Sequence, residues 1–247
     1  QVSLQKRLSH GLTFRATYTF SKNIDLGGDF TNTASGIEKP SSIGIASSEL
    51  TPRVEDLKGW SLLDTPHNLI LSYTYLLPSL GPFYGWKAML LRGWELSGTT
   101  VFQSGLPFAI HTADGPGFGN VDGVMNDRPN LLDPTILGSG FAHPDTSFSR
   151  LRHEWFDTNI LPGGRGNIGY NVFRRDETNN WNFSIGKALR FRGAREISVQ
   201  FRAAFLNFFN HPQFEKPRAN LLSPSFGQIT DTINRGRITQ LSVRVAF

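Results

Sequence analysis

The sequence contains no cysteine, which excludes a disulfide framework, a thiolate metal site and a cysteine nucleophile. It also lacks a long hydrophobic run, since runs such as residues 88–91 and 203–206 fall far short of the ~18 residues that a membrane-spanning helix needs. Despite a net charge of +5, no block of about five or six like charges occurs, so we expect no nucleic-acid partner. No leader-like pattern follows Gln1, so no signal peptide is visible and we expect the natural N-terminus to lie upstream.

Glycine, proline and phenylalanine are abundant, with 25, 14 and 20 residues. Glycine and proline are poor in helix interiors, whereas aromatic residues suit pleated strands. In several segments apolar and polar residues alternate, which is typical of a strand with one apolar face. We therefore predict seven strands, at about residues 2–8, 12–21, 68–77, 91–104, 181–191, 197–205 and 240–247. In the strand at 181–191, Lys187 breaks the apolar face.

The connections between these strands alternate strictly in length. Residues 9–11, 79–87 and 192–195 are short connections, and residues 23–67, 105–179 and 210–236 are long ones. Outer-membrane barrels have short turns at one rim and long extracellular loops at the other. The pattern predicts an all-β fold, an antiparallel transmembrane β-barrel whose long segments are extracellular loops, with Phe247 at the short-turn rim.

The spacing of the aromatic residues fits a lipid bilayer. Trp181 and Phe191 stand at opposite ends of one apolar face, and at ~3.3 Å per residue with a ~45° tilt they span about 23 Å of membrane normal, close to the ~25 Å apolar band of such barrels. Alternation also fits a soluble or surface β-sandwich that binds carbohydrate. The two hypotheses differ in what the apolar faces contact, which is lipid in the first and a second sheet in the other.

Seven strands do not suffice for a closed barrel in lipid. An open sheet would leave on the order of ten backbone polar groups unpaired along its two edges, at several kcal/mol each. That total exceeds the ~5–15 kcal/mol stability of a typical domain. We expect the native barrel to contain further strands, with residues 1–247 forming its C-terminal part.

Five segments together resemble the C-terminal barrel region of Oar-like TonB-dependent receptors, large outer-membrane proteins with a carboxypeptidase-regulatory-like N-terminal domain that are common in acidobacteria. They are HGLTFRATYTFSKNID (10–25), DTPHNLILSYTYLLP (64–78), RGWELSGTTVFQSGLPF (92–108), NNWNFSIGKALRF (179–191) and FRAAFLNFFNHPQF (201–214). The resemblance covers nearly the whole chain. It implies a barrel of about 22 strands, with a plug domain and an energy-coupling box that this sequence does not contain.

The last apolar residues of the chain, Leu241, Val243, Val245 and Phe247, resemble the C-terminal signal by which the outer-membrane assembly machinery takes up barrel strands. Packing of an aromatic girdle at the strand end explains the same residues without a signal. Both readings place these side chains on the lipid-facing side.

Residues with possible site chemistry are few and scattered. The glycine-rich segment 115–119 lacks a preceding strand and a following helix, so it does not indicate a phosphate site. Oxygen ligands that calcium would accept occur in one loop, but turn formation alone explains them; they are Asp114, Asn120, Asp122, Asn126 and Asp127. His143, His153 and Glu154 lack metal-ligand spacing.

No catalytic, cofactor or metal site is therefore predicted, and we expect a membrane receptor and not an enzyme. Loop aromatics could contact a ligand at the outer mouth or pack loop against loop; they are Phe141, Trp155, Phe156 and Tyr170. The expected partners are outer-membrane lipid, the assembly machinery, the TonB complex through the plug, and an unknown large nutrient such as an oligosaccharide, peptide or siderophore.

Overall fold

The computed structural model describes residues 1–25, 58–78, 84–111, 128–137, 151–157, 166–192 and 196–247. Its strands, in chain order, are β1 (Val2–Ser9), β2 (Leu12–Phe20), β3 (Ile24–Asp25), β4 (Gly59–Trp60), β5 (His67–Leu76), β6 (Trp94–Gln103), β7 (Pro107–Phe108), β8 (Asn130–Leu131), β9 (Phe156–Asp157), β10 (Phe173–Arg174), β11 (Thr178–Arg192), β12 (Glu196–Leu206) and β13 (Ile238–Ala246). Among these residues the helices are short: α1 (Gly85–Leu91) and two 3₁₀ turns, Pro134–Ile136 and His153–Trp155.

The seven long strands form one antiparallel sheet in the order β1-β2-β5-β6-β11-β12-β13. Each long strand thus pairs with the next long strand along the chain, as expected of an up-and-down barrel wall. All seven predicted strands are confirmed. The sheet does not close on itself, because β1 and β13 form its two edges.

The register places the apolar residues of neighbouring strands on one face. Residues directly opposite each other in an antiparallel pair share a face, and one such row runs through Phe14, Tyr73, Gly98, Phe183 and Phe205. The adjacent row on the other face runs through Thr13, Thr74, Ser97, Ser184 and Ala204. The predicted separation into an apolar face and a polar face is confirmed.

Burial in this molecule is the reverse of that in a soluble sandwich. Among the residues described, every buried hydrophobic side chain lies in the long connections, and none lies on the seven-stranded sheet. Phe14 and Phe183 are half-buried and Phe201 is 45% exposed. No second sheet covers these side chains in the described part of the chain, since the other sheets are pairs of two-residue strands. The alternative of a β-sandwich is therefore wrong.

The β1–β2 connection shows why the short turns are tight. Its two central residues, His10 and Gly11, have φ values of 51° and 78°, the positive pair that type I′ hairpin turns require. A Cβ on Gly11 would lie 2.4 Å from the carbonyl oxygen of Leu76 on β5. Glycine is required here for both its φ and its lack of a side chain.

The β5–β6 connection differs from the prediction, which began a strand at residue 91. The structure has α1 there, and β6 begins at Trp94. Trp86, Met89 and Leu90 recur at helical spacing, and Gly93, with a φ of 76°, turns the chain into β6. The clear period-two alternation of β6 concealed the short helical segment that precedes it. In the described residues no helix is long and apolar enough to cross a membrane.

Candidate functional site

The polar face of the sheet forms a groove of about 410 Å³. Hydroxyl and guanidinium groups cross-link its floor: Arg202 Nη2 donates to Ser184 Oγ at 3.0 Å, and the Ser184 and Ser97 hydroxyls are 2.8 Å apart. Arg15 lines the same groove from β2. The seven long strands carry no aromatic residue on this face, so bulky side chains do not fill the space above it.

The charge on this face is predominantly positive. Among the side chains described on this face, cross-strand pairing places four arginines, Arg15, Arg190, Arg202 and Arg244, and one carboxylate, that of Glu95. The arginines come from β2, β11, β12 and β13, so the charge is spread across the width of the wall. Such a surface attracts solutes or protein segments of negative charge.

The described parts of the long connections form a folded unit beyond one end of the sheet. Its apolar interior, which we call the outer-loop core, joins the loop after β6 to the loop after β12. Its members are Phe108, Ile110, Ile136, Leu151, Phe156, Ile168, Phe173, Ala219, Leu221 and Phe226. The loop after β12 is fastened by backbone hydrogen bonds, in which His111 N donates to Ala219 O at 3.1 Å and Leu221 N to His111 O at 2.8 Å. Sequence reasoning missed this core, because its residues are separated by long polar stretches without periodicity.

An ion pair fixes the rim where the loops meet the sheet. Asp64 is fully buried, forms a salt bridge with Arg174, and accepts a hydrogen bond from Asn23 N at 2.5 Å. Arg174 also donates to the carbonyl oxygens of Asp64 and Gly105, both at 3.0 Å, and its guanidinium lies 3.9 Å from the centre of the Trp60 ring. Burial lowers the pKa of Arg174, and the Asp64 carboxylate opposes that shift. Asp64 is the first residue of the DTPHN segment. Its contacts with Asn23 and Arg174 join two loops.

A second polar junction fixes the start of the loop after β12. Asn207 is buried with a φ of 51°, a left-handed conformation that asparagine tolerates better than most residues. Its Nδ2 donates to His211 O at 3.1 Å, its Oδ1 accepts from His211 N at 2.9 Å, and its backbone N donates to Asn182 Oδ1 on β11 at 3.1 Å. The NFFNHP segment is therefore a loop-anchoring device.

Comparison with known proteins identifies the family to which this fold belongs. The family described as "Outer membrane beta barrel domain" matches residues 1–240. The chain belongs to this family of outer-membrane β-barrel domains. No curated protein and no solved structure matches it.

Membership of the family locates the chain in the outer membrane and identifies the two faces of the sheet. The apolar face contacts lipid, and the polar groove belongs to the barrel interior. At the long-loop rim, aromatic rings form edge-to-face contacts, with Phe102 and Trp181 centroids 5.7 Å apart and Trp181 and Phe209 centroids 5.5 Å apart. These rings form part of the outer aromatic girdle.

Lys187, which interrupts the apolar sequence pattern, has a partner at the opposite rim. Its ammonium donates to the backbone carbonyl of Arg92 and lies 4.9 Å from the centre of the Trp94 ring. Residues Trp94 and Lys187 are also cross-strand partners. A long cationic side chain that reaches a strand end beside a girdle tryptophan is compatible with the lipid-facing side.

The candidate assembly residues share the apolar face of β13, an edge strand. Leu241, Val243, Val245 and Phe247 are exposed, and Phe247, at 91%, is the most exposed large hydrophobic residue described. Ala246 pairs with Ser198 near the start of β12, which puts Phe247 at the short-turn rim. The geometry is that expected of lipid-facing residues, and their role as an assembly signal stays a prediction.

The loop residues considered for binding fall into three groups. Phe156 and Tyr170 are buried among the loops and Trp155 is partly buried against the outer-loop core, so these aromatic residues pack loop against loop. The His153 and Phe226 rings contact each other at an interplanar angle of 50°, with their centroids 4.9 Å apart, and Glu154 pairs with Arg152. Within the described residues no group of three or more histidine or acidic side chains could hold a metal ion. Segment 115–119, His143, Phe141 and the candidate calcium ligands at 114–127 lie outside the described residues.

Proposed function

We propose that this chain forms part of the wall and outer cap of a receptor that imports a large nutrient by a TonB-dependent mechanism. The observation that supports the proposal most is the combination of a wide polar interior wall with long loops that fold around the outer-loop core. We call these folded loops the cap. The resemblance of the five sequence segments to Oar-like receptors points the same way.

The interior wall suits a large barrel. The sheet of seven strands at ~4.8 Å spacing is about 29 Å wide and still open. Small barrels fill their interior with side chains, whereas barrels of about 22 strands leave a lumen that a plug domain occupies. The hydroxyl- and arginine-lined groove has the character of a wet lumen.

Both sheet edges require pairing in lipid. Within the described residues, no strand pairs with the outer-facing backbone groups of β1 and β13, and unpaired groups in hydrocarbon cost several kcal/mol each. We infer that further strands of the full-length protein pair with these edges and complete the barrel.

The loop cap supports a receptor role over that of a simple pore. The outer-loop core and the buried Asp64–Arg174 pair give the loops a defined structure, and a rigid surface binds a ligand with less loss of conformational entropy than a mobile one. The nutrient is expected to be large, such as an oligosaccharide, a peptide or a siderophore.

Single-channel conductance of the full-length protein in planar bilayers tests the proposal without knowledge of the ligand. A plugged receptor is closed, and it opens to a large conductance when mild urea unfolds the plug. A variant lacking the residues upstream of the barrel serves as the open control. Constitutive conductance of the untreated full-length protein would identify a diffusion pore and overturn the proposal.

A further inference from the structure

Helix α1 lies in the β5–β6 connection at the short-turn rim, and none of its residues is buried. Trp86 is 69% exposed, and Met89 and Leu90 are also exposed. Helices of two turns are unstable in water unless an apolar face packs against something. No side chain caps its N-terminus, so in the described structure α1 is held only at its C-terminal end.

That end is continuous with the lipid-facing side of the barrel. Trp94, which shares the apolar face of the sheet with Leu96 and Phe102, donates its indole N–H to the Leu90 carbonyl at 2.9 Å. Lys187 on the same face donates to the Arg92 carbonyl and contacts the Trp94 ring. The apolar residues of α1 therefore extend the hydrocarbon-facing surface beyond the strand ends.

The charged residues of α1 and of its C-cap, Lys87 and Arg92, are both positive. Lys87 lies within the helix, with its ammonium 5.8 Å from the centre of the Trp86 ring, and Arg92 and Lys187 flank its C-terminus. Residues 84–92 include no acidic side chain. Tryptophan, aliphatic side chains and cations in one short helix are the composition that binds an interfacial layer of anionic phospholipid.

We propose that α1 is an interfacial anchor, lying in the headgroup region of the phospholipid leaflet at the short-turn rim with Trp86, Met89 and Leu90 directed into the acyl chains. The helix is about 10 Å long, so it adds a lateral foot to the barrel wall. The proposal concerns lipid contact alone and does not depend on transport.

Residues 1–247 contain no cysteine, so an introduced cysteine is the single labelling site in this part of the protein once any cysteine elsewhere in the full-length protein is replaced by serine. Single cysteines replace Met89 or Leu90 in the full-length protein refolded in vesicles of phosphatidylethanolamine and phosphatidylglycerol. Leu132→Cys, at an exposed loop position, is the water-exposed control, and Phe201→Cys is the lipid-exposed control. The heat-dependent shift in gel mobility confirms that each variant is folded.

Labels at positions 89 and 90 should collide readily with oxygen and lose collisions with a water-soluble nickel chelate, as the label at 201 does. Nickel accessibility equal to that of the label at 132 would show that water surrounds α1 and would overturn the proposal. Protection from both probes would also overturn it, because a protein segment and not lipid would then cover the helix.

Discussion

An arginine placed on each of two adjacent residues of β5 distinguishes the lipid face from the lumen face. Leu71 pairs with Ala16 and Thr100 on the apolar face, and Ile70 pairs with Thr17 and Val101 on the polar face. The two side chains are isomers, and both lie near the middle of a strand that runs from His67 to Leu76. Leu71→Arg and Ile70→Arg therefore differ only in the face that receives the charge.

The expected difference follows from the cost of charge in hydrocarbon. An arginine at the bilayer midplane of a barrel destabilises it by about 2–4 kcal/mol, which is roughly a 30- to 900-fold change in the unfolding equilibrium. In the wet lumen Ile70→Arg should cost less than about 1 kcal/mol, because the guanidinium remains hydrated.

Urea titration of the full-length protein in phospholipid vesicles measures both variants, with the folded fraction read from the mobility of unboiled samples on gels. The reasoning predicts a lower urea midpoint for Leu71→Arg and a nearly unchanged one for Ile70→Arg. Equal midpoints would refute the assignment of the faces, and a lower midpoint for Ile70→Arg would reverse it.

Three further predictions concern the loops and the C-terminus. Asp64→Ala removes the carboxylate partner of Arg174 and should destabilise the rim by about 3 kcal/mol, seen as faster hydrogen exchange of the surrounding amides. Arg152→Ala, which removes an exposed ion pair, should change exchange little, and similar rates for the two variants would contradict the role of the Asp64–Arg174 pair. Phe173, which is 1% exposed, lies in the outer-loop core, and Phe173→Ala should destabilise that core by about 3–5 kcal/mol. Protease cleavage of the loops should become faster while the barrel stays folded, and unchanged cleavage would argue against that core. Phe247→Ala should slow assembly into the outer membrane without lowering the urea midpoint of the barrel once it is folded, and a normal assembly rate would leave Phe247 as a girdle residue only.

The lipid-facing wall was predictable because its constraint is local. A strand between lipid and water must alternate at period two, and Leu12 to Phe20 show this pattern without reference to any distant residue. The alternation of short and long connections is equally visible in the sequence, and it predicted that Phe247 lies at the short-turn rim. The start of β6 at Trp94 was harder to predict, because the residues of α1 just before it follow a helical period.

The loop layer was decided by tertiary structure. Asp64 and Arg174 lie far apart in the sequence, and nothing near either residue indicates a salt bridge. Only the meeting of two loops removes Asp64 from water and places it against the partly buried Arg174. The outer-loop core likewise gathers Phe108, Phe173 and Phe226 from separate segments that lack periodicity. The sequence by itself determined the two-faced wall, since lipid acts on every residue of a strand, whereas the folded cap depends on contacts between distant residues that no local pattern encodes.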